Sequence, residues 1–168
     1  MSGFLRNLIT ALLACMRYAS AAPLSSVVCK FWVTPFDTGI SKLKSDCYLQ
    51  FAEAAQFDYM IKTGLISTAI KQGYAFVNIA QMAQFKQPVA MFSHVTVRTQ
   101  VVFADDKCAY FAHDLQAHGT DCARVLVKMK FKQGRITVPP SALLGLCNMP
   151  KPNYLAAWDA ALASAAEQ

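Results

Sequence analysis

The chain has 168 residues, 55% of them hydrophobic and 15% charged, which excludes a disordered chain and is enough for one domain with a sizeable core. Sixteen Lys and Arg against ten Asp and Glu give a net charge of +6, which favours an anionic partner: nucleic acid, an acidic membrane surface or a phosphorylated small molecule. The six cysteines form no Cys-x-x-Cys pair and the three histidines stand at no metal-ligand spacing, so neither a metal site nor a cofactor is expected.

Leu5, Leu8, Ile9, Leu12, Leu13 and Met16 recur at helical spacing and predict an amphipathic helix within residues 1–22. The stretch is too short to cross a bilayer. Packing on the domain, or contact with a membrane surface through residues 4–18, is its expected use. It also reads as a signal-like segment, with Arg6 before the run from Leu8 to Met16 and Ala19-Ser20-Ala21 resembling a cleavage site. The cysteines lie in apolar runs, as reduced core thiols do, which points to a reducing, cytoplasmic setting.

Val27 to Val33 is rich in β-branched and aromatic residues and predicts a strand closed by Pro35. A polar stretch with Gly39 follows. Tyr48 to Ile61 reads YLQFAEAAQFDYMI, with no Gly or Pro before Gly64. That predicts a helix with Ser45 or Asp46 as N-cap and Gly64 closing it. A helix apolar on every side must be buried.

Tyr74 to Phe85 predicts the next strand. Phe92 to Phe103 alternates, with Val95, Val97, Val101 and Phe103 on one face and His94, Thr96, Arg98 and Gln100 on the other. Asp105-Asp106-Lys107 predicts a hairpin turn, Cys108 to Leu115 a return strand, and His118-Gly119 another turn. Ala123 to Lys132 is the last strand, with Val125, Val127, Met129 and Phe131 inward and Lys128, Lys130 and Lys132 outward. Leu143 to Leu146 and Tyr154 to Ala165 predict a loose helical tail. The expected fold class is α+β: an antiparallel sheet of about five strands curled around one long helix.

Several stretches, taken in order, carry a resemblance. They are Val33-Thr34-Pro35-Phe36-Asp37, Tyr48 to Ala55, Phe85-Lys86-Gln87-Pro88-Val89, and Ala104-Asp105-Asp106-Lys107 followed by Cys108 to Phe111. Together they resemble the hotdog-fold acyl-CoA thioesterases, in the 4-hydroxybenzoyl-CoA thioesterase-like group that includes thioesterase superfamily member six. The resemblance implies a hotdog domain over residues 26–146, between the N-terminal helix of 1–22 and a C-terminal tail of 147–168. It implies hydrolysis of an acyl-CoA thioester, and assembly as a homodimer or dimer of dimers. Where the resembled families carry a His and two Asn before the helix, this chain reads Lys42-Leu43-Lys44-Ser45.

Thioester hydrolysis needs an aimed water or carboxylate and donors for the developing oxyanion. The resemblance points to Asp37 as base or nucleophile; by itself, Asp37 before Thr-Gly also reads as a turn cap. Backbone N–H groups of Asp46, Cys47 and Tyr48 at the helix start are the candidate oxyanion donors. Glu53 is a carboxylate on the apolar helix, so it is either functional or structurally paired. Lys42 and Lys44, with the stripe of Lys128, Lys130 and Lys132 beside Arg124, are candidates for CoA's phosphates; the stripe also reads as a solvated strand face. His94, His113 and His118 read as surface or turn residues. No glycine-rich phosphate loop or Gly-x-Ser-x-Gly elbow occurs. Nucleic-acid binding is not expected, because the aromatics are not interleaved with the basic stripe. The alternative function is a non-catalytic hotdog protein that binds acyl-CoA or acyl chains, or serves in assembly.

Overall fold

A computed structural model describes residue 10, residues 20–145 and residues 150–167. The expected helix of residues 1–22 lies outside the described residues, save helical Thr10 and residues 20–22. In chain order come β1 (Val27–Trp32), a 3-10 turn (Pro35–Asp37), α1 (Ser45–Lys62), α2 (Leu65–Gln72), β2 (Ala75–Phe85), β3 (His94–Ala104), β4 (Ala109–Ala117), β5 (Thr120–Gln133), β6 (Ile136–Val138), α3 (Ser141–Leu144) and α4 (Asn153–Ala166).

The sheet runs β1-β3-β4-β5-β2, antiparallel throughout. β6 pairs with the end of β5 through Phe131 and Val138. α1 packs against β1, β3, β4 and β5. This is the hotdog architecture that the apolar helix demanded. Phe51 stacks on Phe31 with ring centroids 5.1 Å apart, and Tyr59 meets Phe111 edge-on at 5.7 Å. Gly64 takes φ +73 directly after α1, a conformation glycine adopts without strain, so the chain turns at once into α2. α2 was not expected from the sequence; it buries only Leu65 and Ala69.

Three expectations need correction. A β-bulge between Val101 and Phe103 shifts the alternation of β3, so Phe103 packs on the outer face beside Tyr110 rather than with Val95 and Val97. The C-terminal helix is not loose. α4 lies on the convex face of the sheet and buries Leu155 and Trp158 against Tyr110, Ala112 and Leu126, worth about 1.5–3 kcal/mol for each large side chain. His113 is no surface residue. It is fully buried, because it alternates with Phe111 and Leu115 on the strand face that meets α1.

Cys29, Cys108 and Cys122 are free thiols. Among the described residues no helix is long and apolar enough to cross a membrane.

Candidate active site

Two cavities flank α1 on its edge-strand side: one lies beside the helix start and the other is rimmed by Glu53. The first, about 300 Å³, lies at the helix start and is lined by Leu43, Ser45, Tyr48, Phe85, Lys86, Gln87 and Pro88. Neither Ser45 nor Asp46 caps the helix. Lys44 holds the N-cap position with extended backbone and no side-chain cap bond. The cause is upstream: the Lys44 N–H donates to the Asp37 carbonyl at 3.0 Å, which fixes where the helix begins.

Asp37 is buried. Its Oδ2 accepts from the Thr34 N–H at 3.0 Å and from the Thr34 hydroxyl at 2.7 Å. The residue therefore caps the 3-10 turn and, through its carbonyl, anchors the helix start. The signal for this pairing is the spacing itself: Thr34 stands three residues before Asp37, as in a capping box.

Of the expected oxyanion donors, the Cys47 N–H is already engaged by the Lys44 carbonyl at 3.0 Å. Asp46 is exposed in the first turn. An uncapped first turn carries unsatisfied N–H groups and the positive end of the helix dipole. Tyr48 contributes its side chain. Its hydroxyl accepts from the Val89 N–H at 3.2 Å and donates to the Gln87 carbonyl at 3.3 Å, while its ring meets Phe85 edge-on at 5.1 Å. Burial pushes the Tyr48 phenol's pKa up, so it stays a neutral clamp between the helix and the β2–β3 connection.

Glu53 is not buried. It stands on the one strip of α1, with Phe57, that faces away from the sheet and is exposed. The all-round apolar reading of α1 failed there because the edge strand β2 leaves that strip uncovered. Glu53 rims the second cavity, about 230 Å³, lined also by Gln56, Phe57, Met60, Ile66, Phe76, Asn78 and Met129. Ser45 to Glu53 spans roughly 12 Å of helix axis. One chain does not bring Asp37 and Glu53 together.

The basic candidates are split as well. Lys42 and Lys44 are exposed beside the helix start. Lys128, Lys130 and Lys132 alternate with the inward residues of β5 and so sit on the convex face, the side that α4 covers. Lys128 is half-buried there and pairs with Asp159 at 2.8 Å. The Lys132 ammonium donates to the Thr137 hydroxyl at 3.1 Å and the Arg135 carbonyl at 3.3 Å. Lys130 lines a convex-face hollow with Asp105, Asp106 and Asp159. Arg124 meets Asp114 at 3.4 Å and lies over the Tyr154 ring. Among the described residues no three His, Cys, Asp or Glu side chains gather as a metal site would require.

Comparison with known proteins bears on this arrangement. The sequence model of the thioesterase-like superfamily matches residues 42–146, more than half of the chain. No curated protein sequence matches it. Among solved structures, a gentisyl-coenzyme A thioesterase shares 22% identity, with a TM-score of 0.61 over 71% of this chain and 98% of its own. A 1,4-dihydroxy-2-naphthoyl-CoA thioesterase from Synechocystis shares 16%, with a TM-score of 0.63 over 75% of this chain and 100% of its own. A Staphylococcus aureus protein solved in complex with CoA shares 12%, with a TM-score of 0.65 over 82% of this chain and 96% of its own. At these identities the solved structures speak for the fold, and the match over residues 42–146 speaks for the lineage: the chain belongs to the thioesterase-like superfamily.

Proposed function

We propose that the protein hydrolyses an acyl-CoA thioester to free acid and CoA, at a site completed by a second copy of the chain. The observation that carries this reading is the pairing of an uncapped helix start with an apolar cavity at opposite ends of one exposed edge strand. The helix start lies at the Phe85 end of β2, and the Glu53 cavity lies at its Phe76–Asn78 end. β2 has no neighbour on its outer edge. A two-fold pairing of β2 with itself is antiparallel, so it lays the start of one strand beside the end of the other. The helix start of each subunit then faces the cavity of its partner.

In that arrangement the first-turn N–H groups of α1 receive the developing oxyanion. Glu53 of the facing subunit takes a proton from the attacking water and returns it to the departing CoA sulfur. Asp37 holds the helix start in place. The acyl group enters the apolar cavity, and Lys42 and Lys44 stand where CoA's phosphates would emerge. The named activities of the gentisyl-CoA and dihydroxynaphthoyl-CoA relatives lend this reading support.

A specific observation favours a second reading, an acyl-CoA binder without turnover. The stretch before α1 reads Lys42-Leu43-Lys44-Ser45 rather than His and Asn, and the Cys47 N–H is already taken. A free-thiol assay across short, medium, long and aromatic acyl-CoA esters separates the two. Release of CoA that falls by 10²–10⁴ in Glu53→Gln, the usual span for a lost general base, supports hydrolysis. Binding of the same esters with no release supports the second reading.

A further inference from the structure

We propose that the end of the molecule around the helix start docks on an anionic phospholipid surface, with Phe36, Ile40 and Phe92 entering the bilayer interface and Trp32 lying at its edge. The proposal goes beyond the acyl-CoA reading and does not depend on it.

Two loops meet at this end. One, residues 33–44, leads from β1 to α1; the other, residues 86–93, joins β2 to β3. The Phe92 N–H donates to the Val33 carbonyl at 3.0 Å, the Met91 N–H to the Ser41 carbonyl at 3.0 Å, and the Leu43 N–H to the Val89 carbonyl at 2.9 Å. These bonds hold the loops together as one surface. Within the first loop, Thr38 bridges Leu43 and the Gly39 N–H donates to the Lys42 carbonyl at 2.9 Å. Ile40 stands in that closed turn.

Ile40 is 100% exposed, Phe36 76%, Phe92 59% and Trp32 49%. One such residue would be ordinary; four on joined segments form a patch of the kind that marks an interaction site. Phe92 adds a second observation. Its φ is +63, a left-handed conformation that is unfavourable for a bulky residue. The ring gains little burial in return. Strain held without a packing gain points to a use for the exposed ring.

The free charges here are of one sign. Residues 23–44 and 85–98 carry Lys30, Lys42, Lys44, Lys86 and Arg98, and their one acid, Asp37, is buried. At the borders, Asp46 accepts from Gln50 and Asp121 from Lys86. Apolar side chains beside lysines match an anionic bilayer: the lysines meet the headgroups, the apolar groups pass below them, and a Trp sits at the interface. A second copy fits less well, because a two-fold contact through this end sets the lysines of one copy against those of the other. A single-stranded nucleic acid would stack on the aromatics but leaves Ile40, the most exposed of the four, without a role.

The chain has two tryptophans, and Trp158 is buried between α4 and the sheet, so Trp158→Phe leaves Trp32 as the reporter. This full-length variant is mixed with brominated vesicles of phosphatidylcholine plus phosphatidylglycerol, and with brominated phosphatidylcholine alone. Flotation of the unsubstituted chain with the same lipids gives the partition coefficient, and serves if the variant does not fold. The expected result is quenching of Trp32 and flotation with the anionic vesicles only, both weakened by added salt. Phe36→Ser with Ile40→Ser, at exposed positions, lowers the partition coefficient at least about tenfold. Lys30→Ser lowers it about fivefold, the worth of one lysine near an anionic surface. Phe92→Gly lowers it too, with no loss of thermal stability, because glycine adopts that φ freely.

Flotation that leaves Trp32 unquenched and survives the substitutions at Phe36, Ile40 and Phe92 belongs to another part of the chain and overturns the proposal. Failure to bind anionic vesicles overturns it as well. Quenching of Trp32 by single-stranded oligothymidylate without vesicle binding reassigns the patch to nucleic acid. Self-association without lipid that Phe36→Ser with Ile40→Ser abolishes, again without vesicle binding, reassigns it to a second copy.

Discussion

Thr99 and His113 stand directly opposite each other on β3 and β4, with Oγ1 and Nδ1 2.9 Å apart. His113 is fully buried and its Nε2 has no partner. Burial pushes its pKa from the usual 6.5 down to about 3. The folded imidazole therefore stays neutral where the unfolded one has already gained a proton. This contribution to stability is complete above pH 6.5 and is lost as pH falls towards 3, at about 1.4 kcal/mol for each pH unit. His113→Gln keeps a partner for Thr99 but does not titrate. Urea unfolding at pH 7 and at pH 5 should show the wild type losing about 2 kcal/mol more than the variant over that span. Equal losses would show that His113 does not titrate on unfolding.

Asp159 ties α4 to the convex face. It accepts from the Tyr110 hydroxyl at 2.6 Å, from Lys128 at 2.8 Å and from Lys151 at 2.5 Å. Burial works to raise its pKa, but the bonds from Lys128, Lys151 and Tyr110 together outweigh it and hold the carboxyl at about 2. With the folded value depressed, the tie is intact above the usual value of 3.8 and is lost as pH falls from there through about 2. Asp159→Asn should cost about 2 kcal/mol at pH 7, the range for hydrogen bonds to charged groups, and should raise amide exchange in α4 more than in α1. Uniform exchange changes in both helices would mean that Asp159 does not act as a local fastening.

The fold was legible because its strongest constraint was local. A run from Tyr48 to Ile61 with three alanines and only two acidic residues cannot face water, and consecutive strands with short turns leave a curled sheet as its cover. What escaped depended on contacts the sequence does not display. The Val101–Phe103 bulge reverses side-chain parity without any glycine or proline to announce it. His113 read as polar and so as exposed, yet one hydroxyl across the ladder makes its burial tolerable. Lys128 read as an outward charge because Asp159, which covers it, lies 31 residues away. Glu53 lies on a strip that periodicity does not distinguish, because the sheet ends at β2 and leaves it uncovered.

That missing neighbour makes a prediction about assembly. β2 contains no charged residue, and Val77, Ile79, Met82 and Phe85 on it are 41%, 43%, 39% and 50% exposed. Edge strands that remain unpaired are usually protected by charge, proline or short length; this one has 11 residues and none of these. Light scattering should find a dimer at micromolar concentration, and Ile79→Lys, which puts a charge on the edge, should give a monomer with unchanged helix content. A wild-type monomer would remove the two-subunit site.

The separation of Asp37 from Glu53 supplies the sharpest test of that site. If both carboxylates served one centre within one chain, no mixture of single variants would regain activity. Across a two-fold interface the helix start of one subunit, held by Asp37, meets the Glu53 of the other. Asp37→Ala removes the carboxylate that pins, through Thr34, the turn carrying that anchor at every site of its homodimer, and Glu53→Gln removes the base at every site of its own. In a mixed dimer one site carries both defects and the other carries neither. Unfolding and refolding equal amounts of the two variants together gives mixed dimers as half of the population, so activity should return to about a quarter of wild type by isologous statistics. Each variant refolded alone should stay 10²-fold or more below wild type. A mixture no more active than its components would place the two residues in cis, or outside the chemistry.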